Sequence, residues 1–283
     1  MTRYTIIALG LLAVASTGWA QGITTHKITD SIYMLEGSGG NVGLSVGEDG
    51  ILVIDSQYPN MAEPILDAIK KIQKGKITFL VNTHFHGDHT GGNKALAQDT
   101  PVIGHMNVRA RMARGKDLSD VEFRNSLPVI TYDDAATIHF NGEDIQLQHY
   151  PTGHTDSDTV LYFPIANVIH MGDHFFVGRF PFIDLAGGGD VAQYIKNVES
   201  IISTAPKGVT VIPGHGPLAD IDDLKKFLKL IIDTTAQIQK GIDAGKDSKT
   251  LQQEGLPAKY KDAGSGFVNT KRWISIVYDS FTR

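Results

Sequence analysis

The chain contains no cysteine among its 283 residues. Disulfides, thiolate nucleophiles and thiolate metal ligands are thereby excluded, and any metal site has to be assembled from histidine and carboxylate. A block of like charge is missing too. Lys and Arg number 26 against 31 Asp and Glu, scattered along the chain for a net charge of -5. That leaves no basic footprint for nucleic acid and points to a small-molecule substrate. No low-complexity linker divides the sequence, and no short-period repeat runs through it. No apolar run reaches the roughly 20 residues that a membrane-spanning helix needs. With 41% hydrophobic and 20% charged residues, the composition is that of a globular protein long enough to bury a core without disulfide support.

The longest apolar stretch, residues 6–15, follows Arg3 and precedes Gly18-Trp19-Ala20. A basic start, a short apolar run and a small-x-small site are the parts of a secretory signal peptide. The expectation is a leader over residues 1–20 cleaved after Ala20, then a single domain over residues 21–283, periplasmic or secreted and without a stable membrane anchor.

Beyond the leader, strand-like runs at residues 31–35, 42–46 and 51–54 are separated by Gly37-Ser38-Gly39-Gly40 and Glu48-Asp49-Gly50, which predicts a meander with tight turns. Ile65, Ile69 and Ile72 at helical spacing predict a helix over 61–71, leading into a strand over 77–81. A helix near 92–98, a strand at 102–104 and a helix over 108–114 follow. The second half predicts strands at 137–139, 145–149, 159–163, 168–170 and 209–212, and a helix over 191–202. Asp220 reads as the cap of a helix carrying Leu224, Phe227, Leu228 and Ile231 on one face.

Histidine is plentiful. Thr83-His84-Phe85-His86-Gly87-Asp88-His89 follows an apolar strand and precedes a helix. His84 and His86, two apart at a strand end, can present both imidazoles to one side, while a turn at Gly87 lets Asp88 and His89 face a second point. Further candidates sit in strand-to-loop contexts: Gly153-His154-Thr155, Gly172-Asp173-His174 and Gly214-His215-Gly216.

This ordered set resembles the metallo-β-lactamase superfamily over essentially the whole mature chain. The resemblance implies an α+β fold, a four-layer αββα sandwich with the metals at one edge of the sheets. It also implies that His84, His86 and His154 bind one metal, that Asp88, His89 and His215 bind a second, and that Asp173 bridges them. In the thiolate-using β-lactamases a cysteine stands where this chain has Asp173, and a lysine three residues later; here position 176 is Phe. The aspartate resembles the wider superfamily of glyoxalase II-type thioesterases, lactonases and phosphodiesterases. Arg179 is the nearest basic residue that could clamp a substrate carboxylate.

Nitrogen and oxygen ligands make zinc the default metal, two ions per chain, with iron or manganese also compatible. The expected chemistry is hydrolysis of an ester-like, lactone, thioester or β-lactam bond by metal-activated water, with Asp88 orienting the water and moving its proton. The alternative on the same scaffold is redox, an iron-dependent persulfide dioxygenase-like protein. Gly37 to Asn41 reads as a flexible pocket loop, and residues 175–189, carrying Phe175, Phe176, Phe180, Pro181 and Phe182, as an apolar rim. His174 is a candidate pocket residue, whereas His26, His105, His139, His149 and His170 read as structural or exposed. Mass spectrometry of the exported protein should find Gln21 as the first residue; an intact Met1 or Thr2 start in the cytosol would refute the leader assignment.

Overall fold

Two β-sheets carry every strand in a computed structural model that describes residues 22–283. The first sheet runs in chain order through β1 (Thr24–Lys27), β2 (Ile32–Glu36), β3 (Val42–Gly47), β4 (Gly50–Ile54), β5 (Ile77–Asn82), β6 (Val102–His105) and β7 (Ile130–Tyr132). The second is formed by β8 (Ala135–Phe140), β9 (Glu143–His149), β10 (Thr159–Phe163), β11 (Val168–His170), β12 (Thr210–Ile212) and β13 (Ala219–Asp220), in the spatial order 13-12-11-10-9-8. The helices are α1 (Ala62–Ile72), the one-turn α2 (Gly87–Thr90), α3 (Asn93–Leu96), α4 (Met106–Ala113), α5 (Val121–Asn125), α6 (Val191–Thr204), α7 (Ile221–Asp243), α8 (Ser248–Glu254) and α9 (Thr270–Thr282).

Three apolar cores hold the layers together, one at each layer boundary. Ile65 and Ile69 of α1 bury against Leu44, Val53 and Leu80 of the first sheet. Met34, Leu52, Ile54 and Val81 meet Ile145, Leu147, Leu161 and Ile212 between the sheets. Val198 of α6, Phe227 and Ile231 of α7 and Trp273 of α9 cover the outer face of the second sheet at Val160, Ile169 and Val211. Apolar residues every two positions in strands and every three or four in helices supply one face per layer, and stacking those faces gives the αββα sandwich.

Strand direction gathers the loops that matter. β4, β5 and β6 are parallel neighbours. β10 is antiparallel to both β9 and β11, and β11 is parallel to β12, so β9, β11 and β12 point the same way. The segments after β4, β5, β9, β11 and β12 carry Asp55, His84, His154, Asp173 and His215 respectively. Loops at carboxyl ends of strands are where open α/β sheets place ligands.

Predicted elements recur with shifted ends: α1 begins one residue later than expected, and α6 runs to Thr204. Asp220 does cap α7, accepting from the amides of Asp222 and Asp223 at 2.8 and 2.9 Å. The helix expected near 92–98 shrinks to α3. The exposed β1 and the three-residue β7 escaped notice, because neither shows strong alternation. The leader lies outside the described residues, among which no helix is long and apolar enough to cross a membrane.

His105 and His149 do prove structural. Their rings stack 3.6 Å apart with planes 10° from parallel. Burial pushes His105 down to about 4, and burial also lowers His149. Unfolding releases these rings to take up protons from about pH 6.5, the ordinary histidine value, whereas folded His105 resists until about pH 4. Stability from this source is therefore present above about 6.5 and falls as the pH drops through that window. His105→Phe keeps a ring in the stack but cannot be protonated. Its unfolding free energy, measured by denaturant titration, should fall less steeply over that range, by up to ~1.4 kcal/mol per pH unit. Equal slopes would refute the assignment.

Candidate metal centre

The apolar strand β5 ends at Asn82, and the chain then turns through His86 into α2, where His86 O accepts from the amides of His89 and Thr90. That single helical turn separates the motif into two facing groups. His84, His86, His154 and Asp173 place one ligand atom each within 4.8 Å of one another, and so do Asp88, His89 and His215.

Asp173 lies between the groups. Its Oδ2 is 3.3 Å from His154 Nε2 and 3.8 Å from His84 Nε2. Its Oδ1 is 3.1 Å from His89 Nε2 and 3.3 Å from His215 Nε2. Asp88 Oδ2 is 3.3 Å from His215 Nε2, and His86 Nδ1 is 2.9 Å from His154 Nε2. Two glycines permit this crowding: a Cβ on Gly40 would sit 2.1 Å from the His89 ring, and one on Gly214 would sit 2.2 Å from Asp173 Oδ1.

A second ring of contacts fixes which nitrogen each histidine turns inward. Asp55 Oδ2 contacts His89 Nδ1 at 2.7 Å and accepts from Thr83 Oγ1 at 2.7 Å, while Asp55 Oδ1 accepts from the Thr83 amide. Thr83 Oγ1 in turn lies 3.0 Å from His84 Nδ1. Phe182 O accepts from His154 Nδ1, Asp184 Oδ2 contacts His86 Nε2 at 3.0 Å, and Phe176 stacks on His215. Fixing one ring nitrogen in this way orients the other as a ligand.

Electrostatics follow from the crowding. Burial opposes charge on Asp173, but His215, His89 and His154 outweigh it and hold its carboxyl well below the usual carboxylate range. Asp88 is likewise held near 2 against the cost of burial, by His89 and His215. Burial disfavours charge on His215, yet Asp173 and Asp88 raise it to about 9. Burial carries His84 well below its ordinary value and His154 to about 4, which leaves both neutral and ready to donate a lone pair.

A divalent cation suits this donor set. His84 Nε2, His89 Nε2 and Asp173 Oδ1 are buried and lack a hydrogen-bond partner. Buried polar atoms are otherwise nearly always satisfied. All three face one another at the centre, with imidazole nitrogen and carboxylate oxygen as the ligand types.

The sequence profile of the metallo-beta-lactamase superfamily matches residues 35–218, which include the whole constellation. The chain belongs to that superfamily. It is 21% identical over 253 residues to a metallo-beta-lactamase type 2 of Bacteroides fragilis, covering 82% of this chain and 96% of that relative. It is 30% identical over 122 residues to a hydroxyacylglutathione hydrolase of Synechococcus sp., covering 42% of this chain and 43% of that one. The solved metallo-beta-lactamase of Pontibacter korlensis superposes with a TM-score of 0.63 at 21% identity, covering 74% of this chain and 98% of that chain, which shows the shared fold. As a member of this superfamily the chain is a metallo-beta-lactamase-like hydrolase.

A cleft of about 420 Å³ opens over the constellation, lined by Tyr58, His86, Asp88, Phe176, Arg179 and Phe182 among others. Of the seven residues singled out from the motifs, His86, Asp88, Asp173 and His215 line it, and His84, His89 and His154 lie buried beneath them within the same two groups. Three expectations need correction. His174 is absent from the lining: it is buried behind Asp173, stacked on Tyr194 and next to Asn197, and burial depresses it to about 3. Phe175 packs into the core against Phe227. The Gly37 to Asn41 loop is tied down rather than loose, with the Gly40 amide on Asp88 O and Asn41 on Pro213, Gly214 and Gly216 carbonyls. Asp55, Asp184 and Phe267 were missed. Asp55, an acidic residue directly after the apolar run at 51–54, left a faint signal; Asp184 and Phe267 left none.

Asp55→Asn is the informative change. The new amide nitrogen would donate to His89 Nδ1, forcing the ring proton onto Nε2, where it points at the centre. Zinc uptake followed by calorimetry should weaken about 10- to 100-fold, while a thermal melt reports whether the variant is folded. Unchanged zinc affinity in a folded variant would show that Asp55 does not set the His89 tautomer.

Proposed function

We propose that this protein is an exported dinuclear zinc hydrolase that cleaves an ester-like, lactone, thioester or β-lactam bond. The observation that carries the reading is Asp173, whose two carboxylate oxygens each face a different histidine group. His84, His86 and His154 would hold one ion, Asp88, His89 and His215 the other, and Asp173 both. Bound zinc supplies a Lewis acid and acidifies water, so that a nucleophile exists at neutral pH without a serine or cysteine.

The remaining work falls to the chain's own side chains. Asp88, ionised at neutral pH and open to the cleft, accepts a hydrogen bond from the attacking water and directs its proton toward the leaving group. Arg179 lines the cleft without an ion-pair partner among the described residues, a placement suited to a substrate carboxylate. Phe176, Phe180 and Phe182 exclude water around the scissile bond, which strengthens each polar contact there. Export rests on Arg3, the apolar run after it and Gly18-Trp19-Ala20. The names of the relatives, metallo-beta-lactamase and hydroxyacylglutathione hydrolase, support a hydrolytic reading.

Asp173→Ala leaves each group one ligand short and removes the negative charge that offsets repulsion between two cations. Metal analysis should show a fall from two ions per chain to one or none, and turnover on a panel of lactam, lactone and thioester substrates should drop at least ~10²-fold. Two retained ions with near-normal turnover would overturn the bridging role. Iron in place of zinc in the parent protein would favour the redox alternative.

A further inference from the structure

One wall of the cleft comes from outside the superfamily match, which ends at residue 218. Phe267 and Val268, in the segment between α8 and α9, line the same cleft as His86, Asp88, Asp173 and His215. Phe267 is 76% exposed, an unusual position for so large an apolar ring. It is nonetheless held: its ring meets Phe182 edge to face at 5.9 Å, and the Arg272 guanidinium lies 4.1 Å from the Phe267 centroid and 4.8 Å from that of Phe182. Arg272 forms no ion pair among the described residues, so its attachment is to the two rings. Such cation–π contacts favour one geometry over the many an exposed ring could adopt.

The support reaches deeper. Phe180 stacks on Trp273 of α9 with planes 9° apart, and its amide donates to Ala263 O at 3.0 Å. Trp273 is fully buried and donates from Nε1 to Thr234 Oγ1 on α7. The 180–184 segment is thus clamped by the C-terminal helices on one side. On the other it meets the constellation, through Phe182 O on His154 and Asp184 on His86. Phe182 sits 5.8 Å from the His86 ring and 6.0 Å from the His154 ring, so a group laid against the Phe182 and Phe267 pair places its neighbouring bond beside the candidate ligands.

We propose that Phe267 and Phe182, with Arg272 as a positioning residue, form a subsite for a flat aromatic group of the substrate, next to the bond that is cleaved. The inference deepens the hydrolase reading by naming a substrate feature. Aromatic rings prefer offset or edge-to-face partners with centroids about 4.5–7 Å apart. A preformed pair of rings offers both without an ordering cost at binding. Arg272 acts through the rings.

The test separates binding from hydrolysis. 2-Naphthoate is titrated by NMR into zinc-free and zinc-loaded protein, with acetate as the probe lacking the ring. The parent should bind naphthoate in both forms and well above acetate. Phe267→Ala, a change at an exposed position, should lose about tenfold in naphthoate affinity with acetate unaffected. Arg272→Met should lose a smaller factor, and Arg272→Lys should restore part of it. Failure of the parent to prefer naphthoate, or equal affinity in Phe267→Ala, overturns the subsite. Where naphthoate binds as expected but no acyl substrate is cleaved, the hydrolase reading fails and the subsite stands.

Discussion

A single buried carboxylate organises the centre. Asp173 is 5% exposed and surrounded by imidazoles of His84, His89, His154 and His215. Taking a carboxylate out of water is costly unless it is paired, so its presence obliges the fold to bring positive or metal-binding partners from three different loops. The direction of the strands makes this feasible, since β5, β9 and β12 deliver these loops, and β11 delivers Asp173 itself, at their carboxyl ends. The tight approach of Gly40 and Gly214 then removes the side chains that would otherwise fill the space.

Orientation comes from a second layer that is itself anchored in the sandwich. Asp55 follows β4 and steers His89 and Thr83, and Thr83 in turn steers His84. Asp184 and Phe182 steer His86 and His154 from a loop braced by Trp273 of α9 and by Ala263 in the segment before that helix. The helices beyond the superfamily match therefore do more than cover a sheet. They fix one wall of the cleft and, through the same loop, the inward nitrogens of two candidate ligands. The apolar core around Trp273 is in this sense a remote support of the polar centre.

The sequence by itself determined which segments form strands and helices and, through the order of its histidine and carboxylate motifs, the superfamily resemblance that implies the αββα layers and the ligand set. Alternating apolar strands and amphipathic helices report their buried faces locally, so β2 to β5, α1, α6 and α7 were legible to within a few residues. His84, His86, Asp88 and His89 lie within six consecutive residues, and His154, Asp173 and His215, each a weak signal alone, stand out as an ordered set after them. What only the tertiary structure decided is which distant groups meet these ligands. Asp184 touches His86 across 98 positions of sequence, and Phe267 joins Phe182 across the whole of α6, α7 and α8. Such contacts depend on how closed layers stack, a property of three-dimensional packing that leaves no local pattern in the chain. The same reason hid the burial of His174: its neighbours in sequence resemble a loop ligand, and only the packing of α6 against the turn at Gly172–His174 turned its ring away from the cleft and onto Tyr194.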